Sequence, residues 1–357
     1  TTDTLNPPSF VAVGELRNMA RAVAWKPDGQ WLVVGLGGRV GRRAIRSRKK
    51  RSRNKKGKKG KKGRGGGSDG NNDDPEEEED FEGHFMIFEV KQDIFESNNQ
   101  DYDVLTPYMD KPQSLDGGKK GREGNDNNWI SDIKFSPNGE IVAFSAHDGQ
   151  VYIYSTQNMK SSTGGKGRRG RGGSGGDAKE PLECLAYCSK SSSAVTHLDF
   201  AQDSKSPGKF YIQTNDLSYE IMRYEINIDK IRNRKNNKRP ARARQMTGRE
   251  DVRDLDWDTY SLPLAWGVQG IWPSGVDGSD INAVDRSRNY EYVASSDDFG
   301  DVKIYNYPCT NTGASFKTAN GHSSHVMNVR FNSDSTAMYS VGGNDRSVFK
   351  WRLEPSN

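Results

Sequence analysis

The stretch that decides the fold is ISDIKFSPNGEIVAFSAHDGQVYIYS at residues 130–155. In its first part, apolar residues such as Ile133 and Phe135 alternate with polar ones at a period of two, which is typical of a half-buried strand. The tripeptide PNG at 137–139 then suits a tight turn. A second strand, a second turn and a third strand that ends in an aromatic residue follow. The stretch therefore predicts an antiparallel sheet with short connections.

This unit recurs along the chain. Four further copies lie at residues 20–35, 195–226, 281–307 and 325–353. In the first copy, LVVGLGG and GHFMIFEV are the second and third strands, with Phe88 at the aromatic position. A sheet of three strands and a looser fourth cannot bury both of its faces alone, whereas copies stacked radially can. We therefore predict an all-β fold, a β-propeller with about five blades.

Two copies share a third-strand signature. Asp148 lies six residues before Tyr154, and Asp345 lies six residues before Trp351. This spacing resembles that of WD repeats. The resemblance implies that each aspartate lies in the turn between the second and third strands and stabilises its blade.

The resemblance to WD repeats also implies a histidine partner for that aspartate, supplied by the preceding loop. Gly321-His322 supplies it for the last blade. The serine or threonine that usually lies between this histidine and the aspartate is replaced by Val341. We therefore expect the internal hydrogen-bond network of this blade to be incomplete. The other blades are more degenerate, with Asp216 and Asp298 shifted in register.

Three low-complexity insertions, at residues 39–80, 157–180 and 228–248, interrupt the repeats. Such sequences bury too little apolar surface to offset the entropy of ordering them, so we predict disordered loops. Residues 39–80, 160–180 and 230–245 carry a combined net charge of +20, and the rest of the chain therefore carries −15 of the total of +5. The basic charge thus belongs to the insertions and not to the blades.

A count of five blades does not decide whether the ring closes. Residues 9–16 are either the outer strand of a preceding blade or a strand that closes a five-bladed ring. We favour the first interpretation, in which residues 9–353 form part of a larger propeller.

Several functional classes find no support in the sequence. No apolar run is long enough to cross a membrane. The histidines stand in no recognisable motif with a nucleophile. The three cysteines, Cys184, Cys188 and Cys309, are too few for a metal site without further ligands at a suitable spacing, and they fit buried thiols in a reducing compartment. We predict no enzymatic activity, no cofactor and no metal.

The region 252–353 carries a more specific resemblance. Its motifs, in order, are GIWP at 270–273, DGSDINAV at 277–284, DDFG at 297–300, YPC at 307–309 and HSSHV at 322–326. Together they resemble the C-terminal part of the echinoderm microtubule-associated protein-like (EMAP-like) family. The resemblance implies a scaffold that binds tubulin or microtubules, located in the cytoplasm and the cytoskeleton, with other proteins bound through the propeller faces.

The basic insertions keep an alternative open, in which a WD-repeat scaffold associates with RNA or another acidic polymer. Partner-contact candidates are Trp272, in a Trp-Pro step, and Asp277 and Asp280. Their structural alternatives are a buried tryptophan and aspartates that cap turns.

Overall fold

The secondary structure comes from a computed structural model of the chain. It describes residues 12–16, 19–37, 83–91, 103–105, 107–109, 112–115, 129–159, 182–202, 206–234, 239–247, 255–273, 275 and 280–354. The predicted insertion at 39–80 and all but the first three residues of the one at 157–180 lie outside these ranges.

The fold is all-β, with five sheets in the arrangement of a five-blade propeller. A first strand, β1 (Ala12–Gly14), precedes the blades. Blade 1 comprises β2 (Ala20–Trp25), β3 (Trp31–Leu36), β4 (His84–Glu89) and β6 (Gln113–Ser114), with β5 (Asp103–Leu105) outside its sheet. Blade 2 comprises β7 (Ile130–Phe135), β8 (Ile141–Ala146), β9 (Val151–Ser155) and β10 (Cys184–Cys188).

The remaining blades repeat the pattern. Blade 3 comprises β11 (Val195–Phe200), β12 (Lys209–Asp216) and β13 (Ile221–Asn227). Helix α1 (Ile228–Arg232) and strands β14 (Ala241–Arg242) and β15 (Arg244–Gln245) follow it. After a 3-10 helix (Trp266–Ile271), blade 4 comprises β16 (Ile281–Arg286), β17 (Tyr292–Asp297), β18 (Asp301–Asn306) and β19 (Phe316–Asn320). Blade 5 comprises β20 (Val326–Phe331), β21 (Ala337–Gly342) and β22 (Val348–Arg352).

Neighbouring blades are packed face to face. Residues of β8 and β9, such as Ala143 and Ile153, form one buried cluster with Leu198 and Ile212 of blade 3. The approach is so close that a Cβ atom on Gly149 would lie 3.0 Å from the carbonyl oxygen of Ser193, and φ at Gly149 is +78°. A glycine is therefore needed in this turn both for its backbone conformation and for the contact between blades.

Strand β1 does not take the place of a closing strand. It pairs in parallel with β5, with Ala12 opposite Asp103. The sheet of blade 5 contains three strands in the part of the chain that the structure describes. Residues 12–14 therefore do not complete the last blade.

The third insertion differs from the predicted disordered loop. Helix α1 begins after Asn227, whose side chain accepts a hydrogen bond from the backbone of Lys230 at 2.9 Å. Strand β14 extends the sheet of blade 2 and β15 that of blade 3. Composition predicted disorder for 228–248, and this was wrong for residues 228–232, which form a capped helix, and for 241–242 and 244–245, which pair with two blades.

Candidate functional site

Blade 5 contains a complete hydrogen-bond network. The Nδ1 atom of His322 lies 2.8 Å from Asp345 Oδ2, and its Nε2 atom lies 2.7 Å from Ser340 Oγ. Trp351 Nε1 donates to the same hydroxyl at 2.8 Å. The expected gap at Val341 is therefore wrong, because Ser340 supplies the hydroxyl. Val341 is the next residue of β21, so its side chain points to the opposite face and is exposed.

This network is electrostatically well satisfied. Burial raises the pKa of Asp345, but hydrogen bonds from His322, Ser347 and Ser323 outweigh it and hold the pKa below its usual value. The rings of His322 and Phe349 meet edge to face, with centroids 4.7 Å apart. The histidine thus connects the loop before β20 to the second and third strands, which is a stabilising role and not a catalytic one.

In blade 2, the equivalent residues of the third-strand signature make different hydrogen bonds. Asp148 accepts hydrogen bonds from the Gln150 backbone at 3.0 Å and from the Tyr152 hydroxyl at 2.6 Å. The Tyr154 hydroxyl donates to the carbonyl oxygen of Leu115 at 2.7 Å. Asp148 therefore lies in the predicted turn, and Tyr154 connects its blade to blade 1.

In blades 3 and 4 the turn aspartates are Asp216 and Asp297. Asp216 Oδ1 accepts hydrogen bonds from the amides of Ser218 and Glu220, and Asp297 Oδ1 accepts the equivalent pair from residues 299 and 301. Asp298 lies one position later and connects two blades, because it contacts Asn282 at 2.7 Å and His325 Nδ1 at 2.7 Å. Asp297, not Asp298, is therefore the counterpart of Asp216 in this turn.

The candidate partner contacts are spread over different environments. Trp272 is half-buried, and its Nε1 atom donates to the carbonyl oxygen of Pro263 at 2.9 Å. Asp280 is half-buried, and its backbone oxygen accepts the amide of Asp298 at 2.9 Å. Asp277 lies outside the described residues. Their contact with a partner stays a prediction, and the hydrogen bond of Trp272 favours its structural alternative.

A more exposed tryptophan was missed by the sequence reasoning. Trp266, in the 3-10 helix between blades 3 and 4, is 74% exposed. The adjoining residues Val268 and Ile271 are buried. The sequence does not indicate which of Trp266 and Trp272 is exposed, because two tryptophans in one irregular segment show no periodicity that assigns them to a face.

A cavity of about 130 Å³ lies among the first strands of blades 2, 4 and 5. Its charged lining includes Lys134 of blade 2, Asp285 of blade 4 and Arg330 of blade 5. Burial raises the pKa of Asp285, although Arg330 opposes this, and Asp285 accepts the amide of Phe331 at 2.7 Å. Arg330 donates to the carbonyl oxygen of Val284 at 3.2 Å. These charges connect blades 4 and 5 to each other.

The thiols lie in the blades. Cys184 is half-buried, and Cys188 and Cys309 are buried and free. Burial raises the pKa of both buried thiols. Within the described ranges, no group of three or more His, Cys, Asp and Glu side chains is placed to hold a metal ion. In this part of the chain, no helix is long and apolar enough to span a membrane.

The repeated sheets and the network of blade 5 define a WD-repeat β-propeller protein. The family can be stated more closely. Residues 113–353 match the family model described as the echinoderm microtubule-associated protein second beta-propeller. The chain belongs to this family, as the motifs between 252 and 353 predict.

Curated relatives agree with this family. The human echinoderm microtubule-associated protein-like 2 is 37% identical over 227 residues, which cover 64% of this chain and 29% of that protein. The 77 kDa echinoderm microtubule-associated protein of Lytechinus variegatus is 35% identical over 221 residues, which cover 62% and 28% respectively. The chain thus spans less than a third of the length of these relatives.

Proposed function

We propose that this protein is a non-enzymatic scaffold of the cytoskeleton that associates with tubulin or microtubules. The observation that carries the proposal is the family match over 113–353, since the relatives that share this propeller are named as microtubule-associated proteins. The hydrogen-bond networks of the blades agree with a rigid binding platform, because their polar groups are engaged in holding strands together.

Co-sedimentation of the purified chain with microtubules tests this function. We expect the chain to pellet with microtubules at low salt and to remain in the supernatant without them. If surface charges contribute, the bound fraction falls as ionic strength rises, because the Debye length is only about 8 Å at physiological salt. A chain that stays in the supernatant with microtubules at low salt, while its strand content is intact by circular dichroism, contradicts the proposal.

We further propose that residues 9–353 form part of a larger propeller. The support comes from equivalent positions. Val151 and Val348 begin the third strands of blades 2 and 5, yet Val151 is 1% exposed against blade 3 and Val348 is 67% exposed. On the other side, Val23 of blade 1 is exposed, whereas its counterpart Ile133 in blade 2 is buried. Both faces are suited to packing against a further blade.

Cysteine labelling tests the larger ring. With Val348→Cys in the complete protein, we expect slow reaction with a maleimide, because a neighbouring blade covers the site. A cysteine at Lys317, an exposed position on the outer strand of blade 4, serves as the control and should react quickly. Equally rapid labelling at both positions would contradict the proposal.

A further inference from the structure

The third insertion forms a surface that we call the basic strap, residues 228–234 and 239–246. Its second half runs between two blades. Tyr187 of β10 lies opposite Arg242, and Glu225 of β13 lies opposite Arg244. The amide of Ala243 donates to the carbonyl oxygen of Tyr187 at 2.9 Å. The strap is therefore fixed to blade 2 on one side and to blade 3 on the other.

The alternation of residues in the strap aims its cations outward. Ala241 is buried, and Ala243 packs against the same core cluster between blades 2 and 3. Arg242 and Arg244, which alternate with them, are exposed. Arg242 lies in β14, at the edge of blade 2, and Arg244 lies in β15, at the edge of blade 3, so both cations belong to segments fixed by backbone pairing. Small alanines let the strap lie close to the core while the arginines stay in solvent.

The exposed charge of the strap is high. Its exposed cations are Lys230, Arg232, Arg234, Arg239, Arg242 and Arg244. Arg244 Nη2 lies 2.9 Å from the carboxylate of Glu225. Other contacts go to carbonyl oxygens, which leave the positive charge uncompensated: Arg242 donates to Ser189 at 3.3 Å, and Arg234 donates to Arg239 at 2.7 Å. The result is a cationic rim on a body whose remaining sequence is acidic.

We propose that the basic strap binds an extended acidic peptide. This rests on the proposed function and deepens it by naming the chemistry of the partner at one surface. In an extended peptide, carboxylates at alternate positions lie on one side about 6.6 Å apart, so a row of them can meet successive exposed cations of the strap. Guanidinium groups also bind carboxylates through paired hydrogen bonds.

The surroundings of the strap favour a peptide over a single-stranded nucleic acid. Single-stranded nucleic acids are held largely by stacking of bases on aromatic side chains. The aromatic residues of the adjoining strands are largely covered: Tyr224 is buried, and Tyr187 is half-buried against the core between blades 1 and 2. The described neighbours of the strap therefore offer fixed cations and little open aromatic surface.

A charge-reversal experiment tests the strap. The probe is a fluorescent peptide of ten glutamates, and binding is measured by fluorescence anisotropy at low and physiological salt. The test variant is K230E/R239E/R242E, which leaves the Arg244–Glu225 pair in place. The control variant, K91E/K317E/R346E, makes the same change in net charge at exposed positions outside the strap. We expect about tenfold weaker binding for the test variant, since each exposed charge contact contributes modestly, and little change for the control.

Every outcome decides the proposal. Equal weakening in both variants would overturn it, because binding would then follow net charge alone. The absence of peptide binding at low salt would also overturn it. The same holds if an oligouridine of ten nucleotides binds and the peptide fails to displace it, because the surface would then prefer a nucleic acid. Thermal unfolding of both variants verifies that each is folded. Peptide binding that persists in a chain that fails to pellet with microtubules would contradict the proposed function while leaving the strap proposal intact.

Discussion

Blades 2 and 5 carry the two clearest copies of the third-strand signature, yet different interactions hold them. In blade 2 the strands are buried on both faces, and Phe144 stacks on Phe85 of blade 1 with ring centroids 4.4 Å apart. In blade 5 the His322 network is complete, but Tyr339 and Val348 are exposed on the outer face. The signature therefore reports the chemistry of the turn, whereas neighbouring blades determine the burial.

The largest expected effect comes from removing an apolar side chain from the corresponding face of the third strand in each of the two blades. Ile153 of blade 2 is fully buried, and Lys350 and Val348 occupy the exposed face of blade 5. Ile153→Ala should lower the free energy of unfolding by about 2–5 kcal/mol, because it opens a cavity between blades 2 and 3. Val348→Ala should change it by about 0.5 kcal/mol or less, as at other exposed sites. Urea denaturation measures both.

The two substitutions together also test the difference in burial between the blades. Comparable losses for the two substitutions would mean that the outer face of blade 5 is already covered in this chain, for example by a second copy. Repeating the measurement over a tenfold range of protein concentration distinguishes the two situations, since stabilisation by association depends on concentration.

A smaller effect is expected from the polar network. His322→Ala removes one hydrogen-bond partner from the hydroxyl of Ser340, which keeps that from Trp351, and one from the carboxylate of Asp345, which keeps the backbone amides. We expect a loss of about 1–3 kcal/mol, because two hydrogen bonds of about 0.5–1.5 kcal/mol each are lost. In blade 2, Tyr152→Phe removes one hydrogen bond to Asp148 and should cost about 1 kcal/mol. A larger loss for Tyr152→Phe than for His322→Ala would contradict the ranking.

The blades that carry this contrast could be predicted from the sequence. The period-two alternation located all five blades, and Phe88 lies in the third strand of blade 1 as expected. The position of the network hydroxyl could not be found in this way. A shift of one residue along a strand moves a side chain to the opposite face, so Val341 and Ser340 differ completely in burial. Only the pairing of β21 with β22 fixes this register.

The basic strap shows a different limit of sequence reasoning. Its many cations and few large apolar residues are typical of disordered segments, so composition predicted a flexible loop. The alternation of Ala241, Arg242, Ala243 and Arg244 is a strand pattern in which the inward residues are alanines. Alanine contributes little apolar area, so the hydrophobic periodicity is weak. The pairing partners, Tyr187 and Glu225, are distant in sequence and give no local signal.

The smallest expected effect is a pH dependence of stability that arises in blade 2. At the boundary of blades 1 and 2, the ring of His147 lies 4.2 Å from that of Trp129, over which Arg21 is placed at 4.5 Å. Burial, with a further contribution from the positive charge of Arg21, lowers the pKa of His147 to about 4 from the usual 6.5. The folded state therefore keeps this histidine neutral, while the unfolded chain binds a proton below pH 6.5.

The sign of the pH effect follows from this difference in proton binding. Between pH 6.5 and about 4 the unfolded state binds more protons, so the contribution of His147 to stability is present above pH 6.5 and is lost as the pH falls. We expect the thermal midpoint of His147→Gln to fall less over this interval than that of the unsubstituted protein. Some pH dependence of the thermal midpoint should remain in the variant, because burial also lowers the pKa of His197 to about 4. Identical slopes in both proteins would show that His147 does not titrate with unfolding, and the contrast between blades would then rest on packing alone.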